Sequence, residues 1–202
     1  MAKGSRIRHH VNPLSDLTEH EFSGFENNNP IIIDIGADRG EFIEQLLEKF
    51  ENNKNFIVSE IRKPLARKLE KKFEKHGNVV VFDGDMTRNF ENIVRTSIKK
   101  NVLIEEIYIN FPDPWFKERH KKRRVVNIKF LESIKKWTQK ETKWIFQTDQ
   151  QQLFDETVEL LESIDWIGIE FFDESPYGAT TKWENAKVED GFKINRLKFQ
   201  FV

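Results

Sequence analysis

The chain of 202 residues contains no cysteine. That absence removes disulfide frameworks, thiolate nucleophiles, Cys-ligated zinc and iron–sulfur clusters together. No run approaches the ~20 consecutive apolar residues that a membrane-spanning helix requires, and the basic start from Met1 to His10 has no apolar segment behind it. Neither membrane insertion nor signal-peptide secretion is expected; the compartment inferred is the cytoplasm, with an organelle left open. A charge excess is missing too, since 33 Lys+Arg face 34 Asp+Glu for a formal net charge of -1. Hydrophobic residues are sparse at 38%, below the ~45–50% of ordinary domains. What is present compensates: 18 Phe and 5 Trp fill a core with fewer positions, and 33% charged residues describe a heavily charged surface. One domain is expected over residues 30–202, preceded by a partly flexible arm over residues 1–29.

From Ile31 onward, short apolar runs alternate with helix-period stretches, the pattern of βαβ units and a largely parallel sheet. Ile31, Ile32, Ile33 and Ile35, closed by Gly36 and Gly40, predict a buried central strand and a tight turn into a helix carrying Phe42, Ile43, Leu46, Leu47 and Phe50. Further strands are predicted at Asn55 to Glu60, Val79 to Phe82, Ile107 to Ile109, Trp144 to Gln147, Ile167 to Phe172 and Leu197 to Phe201. Pro64 opens a helix with Leu65, Leu69 and Phe73 that Gly77 ends. A weaker helical stretch runs from Phe90 to Lys100, another is marked by Phe130, Leu131, Ile134 and Trp137, and a last by Phe154, Val158 and Leu161. The polar stretch from Asp173 to Gly191 reads as a long loop. The fold class is α/β: a Rossmann-like, doubly wound, mostly parallel seven-stranded sheet with an antiparallel hairpin at one edge.

In such sheets ligands bind outside the carboxyl ends of the strands. Those ends carry Asp34 to Gly40, Glu60, Asp83, Asn110 to Asp113, and Thr148 with Asp149. Carboxylates there accept hydrogen bonds from hydroxyls, amines or a base edge, although Asp and Glu also serve as loop and helix-cap residues. The first turn lacks the G-x-G-x-x-G spacing of dinucleotide sites: Asp38 and Glu41 stand where glycines are needed, and Asp38 repels a pyrophosphate. This sets aside a nicotinamide-dependent oxidoreductase. A cofactor without phosphate is easier to place. S-adenosylmethionine, with its cationic ammonium and sulfonium, tolerates Asp34 and Asp38, and Glu60 stands where a ribose diol is held. The plain alternative is a tight turn with Asp38 as helix N-cap.

The loop after the fourth strand, Asn110 to Arg124, is more specific. Pro112 and Pro114 stiffen the backbone around Asp113 and present its carboxylate at the top of the sheet. Phe111, Trp115 and Phe116 are suited to stacking on a base, and Lys117, Arg119, Lys121, Lys122, Arg123 and Arg124 against the single Glu118 form a phosphate-binding patch. A solvated charge run is the competing reading. No metal is expected, because no H-x-x-x-H or comparable spacing occurs: His9 and His10 sit in the arm, His20 and His76 at surface positions, and His120 beside the phosphate patch.

These residues resemble the bacterial-type tRNA (guanine-N7)-methyltransferases, the TrmB family. Asn110 to Arg124 looks like the family signature, Arg6 to Ser15 resembles the N-terminal arm of some members, and Asn55 to Glu60 and Phe146 to Asp149 resemble the second- and fifth-strand blocks. Thr181-Lys182-Trp183-Glu184, with Gly191 and Arg196 downstream, is similar to the T-x-aromatic-E loop. The resemblance implies a class I methyltransferase domain that transfers a methyl group from S-adenosylmethionine to N7 of guanine-46 in the tRNA variable loop, as a monomer or homodimer. It implies that Asp34, Gly36, Gly40, Glu60, Asp83 and Asp113 hold the cofactor, and that Asp113 is the catalytic group. It places Lys117, Asp149 and Thr181 to Glu184 on tRNA, with Arg119, His120, Lys122, Arg123 and Arg124 toward the RNA backbone. The family commonly has Glu where this chain has Asp34, and G-x-G-x-G where it has Gly36, Asp38 and Gly40. Asp38 motivates a first alternative, an inactive RNA-binding homologue; a methyltransferase with another RNA acceptor is the second. From spacing alone, Thr181 and Glu184 read as the capping box of a short helix, and their contact with a base rests on the resemblance.

Overall fold

The computed structural model describes residues 11–135 and 138–202. The part of the arm motif before residue 11, with His9 and His10, lies outside the described residues, as does Trp137. The elements run β1 (Ile31–Ile35), α1 (Glu41–Phe50), β2 (Asn55–Glu60), α2 (Lys63–Phe73), β3 (Val79–Asp83), α3 (Met86–Lys99), β4 (Ile104–Asn110), α4 (Ile128–Ile134), β5 (Lys143–Thr148), α5 (Gln151–Glu162), β6 (Ile167–Phe171), α6 (Lys182–Glu189) and β7 (Asn195–Phe201). They build one seven-stranded sheet of order β3-β2-β1-β4-β5-β7-β6. β7 pairs antiparallel with both β5 and β6, while β1 to β5 pair in parallel. The strand order reverses between β1 and β4, so the carboxyl ends of these two strands flank the crevice in which this architecture places ligands.

The strands are apolar on both faces because helices cover both. Ile32 of β1, with Phe56, Val58, Tyr108 and Ile145, packs against Phe42 and Leu46 of α1 and Leu69 and Phe73 of α2. Ile31, Ile33 and Ile35 alternate to the other face, among Phe90 and Ile93 of α3, Leu131 of α4 and Leu161 of α5. Aromatic bulk makes up for the modest hydrophobic content: Trp144 is fully buried, stacked on Phe199 at 5.6 Å and beside Phe90 at 5.2 Å.

Several elements differ from the periodicity reading for local reasons. α3 starts at Met86, one turn before Phe90 and buried on the same face, because the Asp85 carboxylate caps it by accepting from the Thr87 N–H at 3.0 Å. β4 begins at Ile104, so Glu105 and Glu106 lie within a strand; buried Glu106 accepts from the hydroxyls of Tyr108 (2.6 Å) and Tyr177 (2.9 Å). α2 ends at Phe73, short of Gly77. The stretch read as a long loop holds a 3-10 turn at Pro176–Gly178 and the helix α6. Its cap is the one the spacing favours, with the Thr181 hydroxyl accepting from the Glu184 N–H at 3.0 Å. Residues 11–29 run against β3 and α3: Asp16 accepts from the Asp85 N–H at 2.7 Å, and Phe22 and Phe25 are buried in the core.

Candidate active site

The end of β1 puts an acid where water cannot reach it. Asp34 is 1% exposed, and burial pushes its carboxyl up to about 7, against the lowering effect of the Asn110 hydrogen bond and with a further raise from the Glu60 charge. The Asn110 amide, at the end of β4, donates to Asp34 Oδ1 at 3.2 Å, while its own Oδ1 is buried without a hydrogen-bond partner. A carboxylate and an orphaned amide oxygen, side by side at the switch point, form an acceptor pair suited to a cationic amine. The turn above them is open. Gly36 has φ 81°, and a Cβ built there meets nothing within 4 Å, whereas at Gly40, φ 74°, a Cβ comes within 2.8 Å of Leu69 and 2.9 Å of Phe73. The first glycine leaves room for a ligand; the second lets α1 start tight against α2.

Asp38 does not cap α1, whose N-cap is Gly40. It sits at φ 50° with its N–H donating to Glu60 Oε2 at 3.1 Å and its carboxylate accepting from Arg62 at 2.8 Å. Arg62 is the residue that sequence reasoning missed; its only signal is a basic side chain two places after the strand-end Glu60. It donates to Glu60 through N–H (2.8 Å), Nε (2.9 Å) and one terminal nitrogen (2.8 Å). At the end of β3, Asp83 faces the residue 11–29 segment: His20 Nε2 lies 2.7 Å from its carboxylate and 3.0 Å from its carbonyl oxygen. His20 is therefore a half-buried partner of a strand-end acid, not a bare surface histidine. Asp34, Glu60 and Asp83 thus stand along adjacent strand ends, each already facing a protein group.

The loop after β4 is wound back on itself. Phe111 (φ 49°) and Trp115 (φ 44°) both adopt the left-handed region that side chains avoid, one on either side of the Pro112-Asp113-Pro114 unit. What holds them is visible. The Phe111 N–H donates to the Gln147 carbonyl at 2.9 Å, and Arg124 Nε donates to the Pro114 carbonyl at 2.8 Å. Arg124 is anchored in turn by Glu156 of α5 at 2.5 Å, and Arg123 lies over the Trp115 ring at 4.9 Å with the edge of His120 against the same ring at 5.8 Å. Lys121 pairs with Glu118 (2.8 Å) and Glu156 (3.2 Å). Half of the basic run is thus engaged inside the loop. Lys117, Arg119 and Lys122 are exposed and make no ion pair with a carboxylate among the described residues, and exposed Phe116 stands beside them. Burial and the charges of Arg123, Arg119, Lys117 and Lys122 hold the His120 imidazole below its ordinary value. Asp113 itself is exposed.

The Thr181 to Glu184 segment splits the same way. Trp183 Nε1 donates to Asp149 at 3.2 Å, which carries α6 to the end of β5, beside the crevice. Glu184 is 2% exposed and bound to Arg196 at 2.5 Å, with Gln147 Nε2 donating to it at 3.2 Å. Arg196 also donates to Gln147 (3.1 Å) and to the Asp173 carbonyl (2.7 Å). As placed, Glu184 faces inward, and Thr181 serves as the cap of α6. Among the described residues no group of three or more His, Asp or Glu stands together as a metal site, and no helix is long and apolar enough to cross a membrane.

A doubly wound sheet with an antiparallel β7, an open glycine turn after β1 and acceptors at successive strand ends is the architecture of the class I S-adenosylmethionine-dependent methyltransferases. The buried Asp34–Asn110 acceptor pair and the open space over Gly36 fit that cofactor's ammonium and body. The family described as "Putative methyltransferase" matches residues 28–197. The chain is 33% identical over 184 residues to a tRNA (guanine-N(7)-)-methyltransferase of Clostridium botulinum, covering 88% of this chain and 82% of that one. It is 30% identical over 217 residues to the protein of the same name from Prochlorococcus marinus, covering 96% of each. Its fold is similar to that of a SAM-dependent O-methyltransferase from Thermotoga maritima, with a TM-score of 0.55 and 14% identity over 87% of this chain and 60% of that one. The chain belongs to the tRNA (guanine-N7)-methyltransferase family.

Proposed function

We propose that this protein is a cytoplasmic enzyme that methylates N7 of a guanine in tRNA, guanine-46 of the variable loop, using S-adenosylmethionine. The observation that carries the reading is the juxtaposition at the switch point: a buried acceptor pair, Asp34 and Asn110, at the root of a strained Pro-Asp-Pro loop whose outer face is lined by Lys117, Arg119 and Lys122. Family membership supports the acceptor base.

Asp34 and Asn110 would accept from the cofactor's ammonium, and Glu60 and Asp83 would hold its ribose and adenine by accepting hydrogen bonds. When bound, S-adenosylmethionine supplies a sulfonium methyl group as the electrophile. Guanine N7 has a lone pair that is largely unprotonated at neutral pH, so no residue needs to act as a strong base. The chain has to supply position and charge. Asp113, held stiff by two prolines, orients the guanine through its N–H edge and favours the positive charge that the purine acquires. Lys117, Arg119 and Lys122 bind the RNA backbone, Phe116 stacks beside them, and Asp149 with the Thr181 end of α6 borders the base. Arg124, Arg123 and Glu184 shape these surfaces from within.

The test is transfer of a labelled methyl group from S-adenosylmethionine to unmodified bulk tRNA, followed by nucleoside analysis. The expected product is 7-methylguanosine confined to the variable loop. Tight tRNA binding without transfer overturns the proposal in favour of an inactive RNA-binding homologue, and label at another nucleoside overturns the acceptor.

A further inference from the structure

Glu60 is fully coordinated. It is 2% exposed, and its two oxygens together receive four donors: the Asp38 and Arg62 backbone N–H groups and two nitrogens of the Arg62 guanidinium. An ionised carboxylate offers about four lone-pair positions, so a ribose diol that is to be held by Glu60 has to displace something. The two backbone donors are built into the connections after β1 and β2, where Arg62 is also the N-cap of α2. The Arg62 side chain can move: it is long, and 33% of it is already exposed.

Its departure leaves a charge needing a partner, and one is in place. The terminal nitrogen that bonds Glu60 at 2.8 Å also bonds Asp38 Oδ1 at 2.8 Å, and the Asp38 side chain is 54% exposed, on the solvent side of the pair. A guanidinium with five donors can give up Glu60 and keep Asp38. We propose that Arg62 is an exchange gate of the cofactor site: it satisfies Glu60 in the ligand-free protein, and it releases Glu60 and stays on Asp38 when a ribose diol takes its place. The proposal rests on the cofactor assignment above. It also gives Asp38 a task. A glycine at this position would relieve the φ 50° backbone but would leave the displaced arginine with no second carboxylate.

The two partners of the gate therefore affect binding in opposite directions. Removing Arg62 destabilises the ligand-free state, because Glu60 loses two charge-assisted donors that the ribose then restores; removing the Asp38 charge costs the displaced state more than the ligand-free one, because Arg62 pairs with Asp38 in both but with Glu60 only in the second. Titration calorimetry of S-adenosylmethionine with the full chain reads both. Arg62→Met is expected to bind roughly tenfold more tightly than the natural protein, the size of one charge-assisted hydrogen bond, with a lower ligand-free Tm. Asp38→Asn, at an exposed site where Asn tolerates positive φ, is expected to bind several-fold more weakly, and this effect should vanish in the double variant. Weaker or unchanged binding by Arg62→Met overturns the gate, as does an Asp38→Asn effect that survives without Arg62. Should Arg62→Met fail to fold, an affinity for Asp38→Asn equal to that of the natural protein overturns it alone. If the natural protein does not bind S-adenosylmethionine, the cofactor assignment itself has failed; if it binds and the variants do not diverge, only the gate has.

Discussion

The Glu184 carboxylate meets the Arg196 guanidinium at 2.5 Å with both side chains buried, and Gln147 bonds to each of them. This ion pair ties α6 to β7 and β5, and Arg196 extends it to the Asp173 carbonyl at the start of the connecting segment. Ala179 and Tyr177 of the same segment pack against apolar groups, but α6, which carries Trp183 to the crevice, buries Glu184 and is held by opposite charges.

Breaking that pair from one side leaves the other charge buried and unpaired. Glu184→Ala is expected to destabilise the protein by about 3–5 kcal/mol, read as a lower midpoint in urea unfolding. A destabilisation below about 1 kcal/mol, with methyl transfer abolished, would return Glu184 to direct contact with the base.

The basic loop should divide into two classes of arginine and lysine. Arg124 braces Pro114 against Glu156, so Arg124→Ala should lower kcat with little change in the salt dependence of tRNA binding. Arg119→Ala combined with Lys122→Ala should instead weaken tRNA binding and reduce the salt slope by roughly 0.7–0.9 for each phosphate that is no longer neutralised. Filter binding across a salt series separates them; identical slopes for both variants would refute the division.

Asp34 makes cofactor binding sensitive to pH. Burial holds its carboxyl at about 7 in the folded chain, well above the usual carboxylate range, and an ammonium needs the ionised form. Apparent cofactor affinity should therefore fall about tenfold per pH unit as pH drops below about 7. The stability of the ligand-free protein runs the opposite way: because the folded value is raised, this group's contribution is fully present below the unfolded value and is lost as pH rises through about 7. Asp34→Asn should abolish both trends, which calorimetry between about pH 6 and pH 8 and thermal melts between about pH 4 and pH 8 would check.

Asp113→Asn keeps the shape of the loop and removes the charge. Methyl transfer should fall by roughly 100-fold or more, the scale of losing one group aimed at developing charge, while cofactor affinity changes by less than about tenfold. Single-turnover transfer beside equilibrium cofactor binding makes the comparison, and retained transfer would remove Asp113 from its catalytic role.

Much of this protein was legible in one dimension. The alternation of isoleucine-rich runs with helical stripes specified the strands, because a sheet covered on both faces needs apolar residues on both. The strand-end acids and the Pro-Asp-Pro loop could be read for the same reason: their spacing is local, and the fold class says where strand ends go. α6 was legible only at its start, where Thr181 and Glu184 read as a capping box; the rest of Lys182–Glu189 is polar almost all round and buries Glu184 by charge pairing, which leaves no apolar stripe to show its length. The partners of the acids were hidden because they come from elsewhere in the chain: Asn110 reaches Asp34 across the switch point, and His20 reaches Asp83 from before the first strand. A sequence shows which residues can carry charge and where the backbone must turn. Only the tertiary structure decides which charges neutralise one another and which remain for a ligand, since that depends on distances between segments that composition and spacing do not contain. Arg124 and Arg119 are equally cationic in the sequence, yet one is tied to Glu156 and the other stands in solvent.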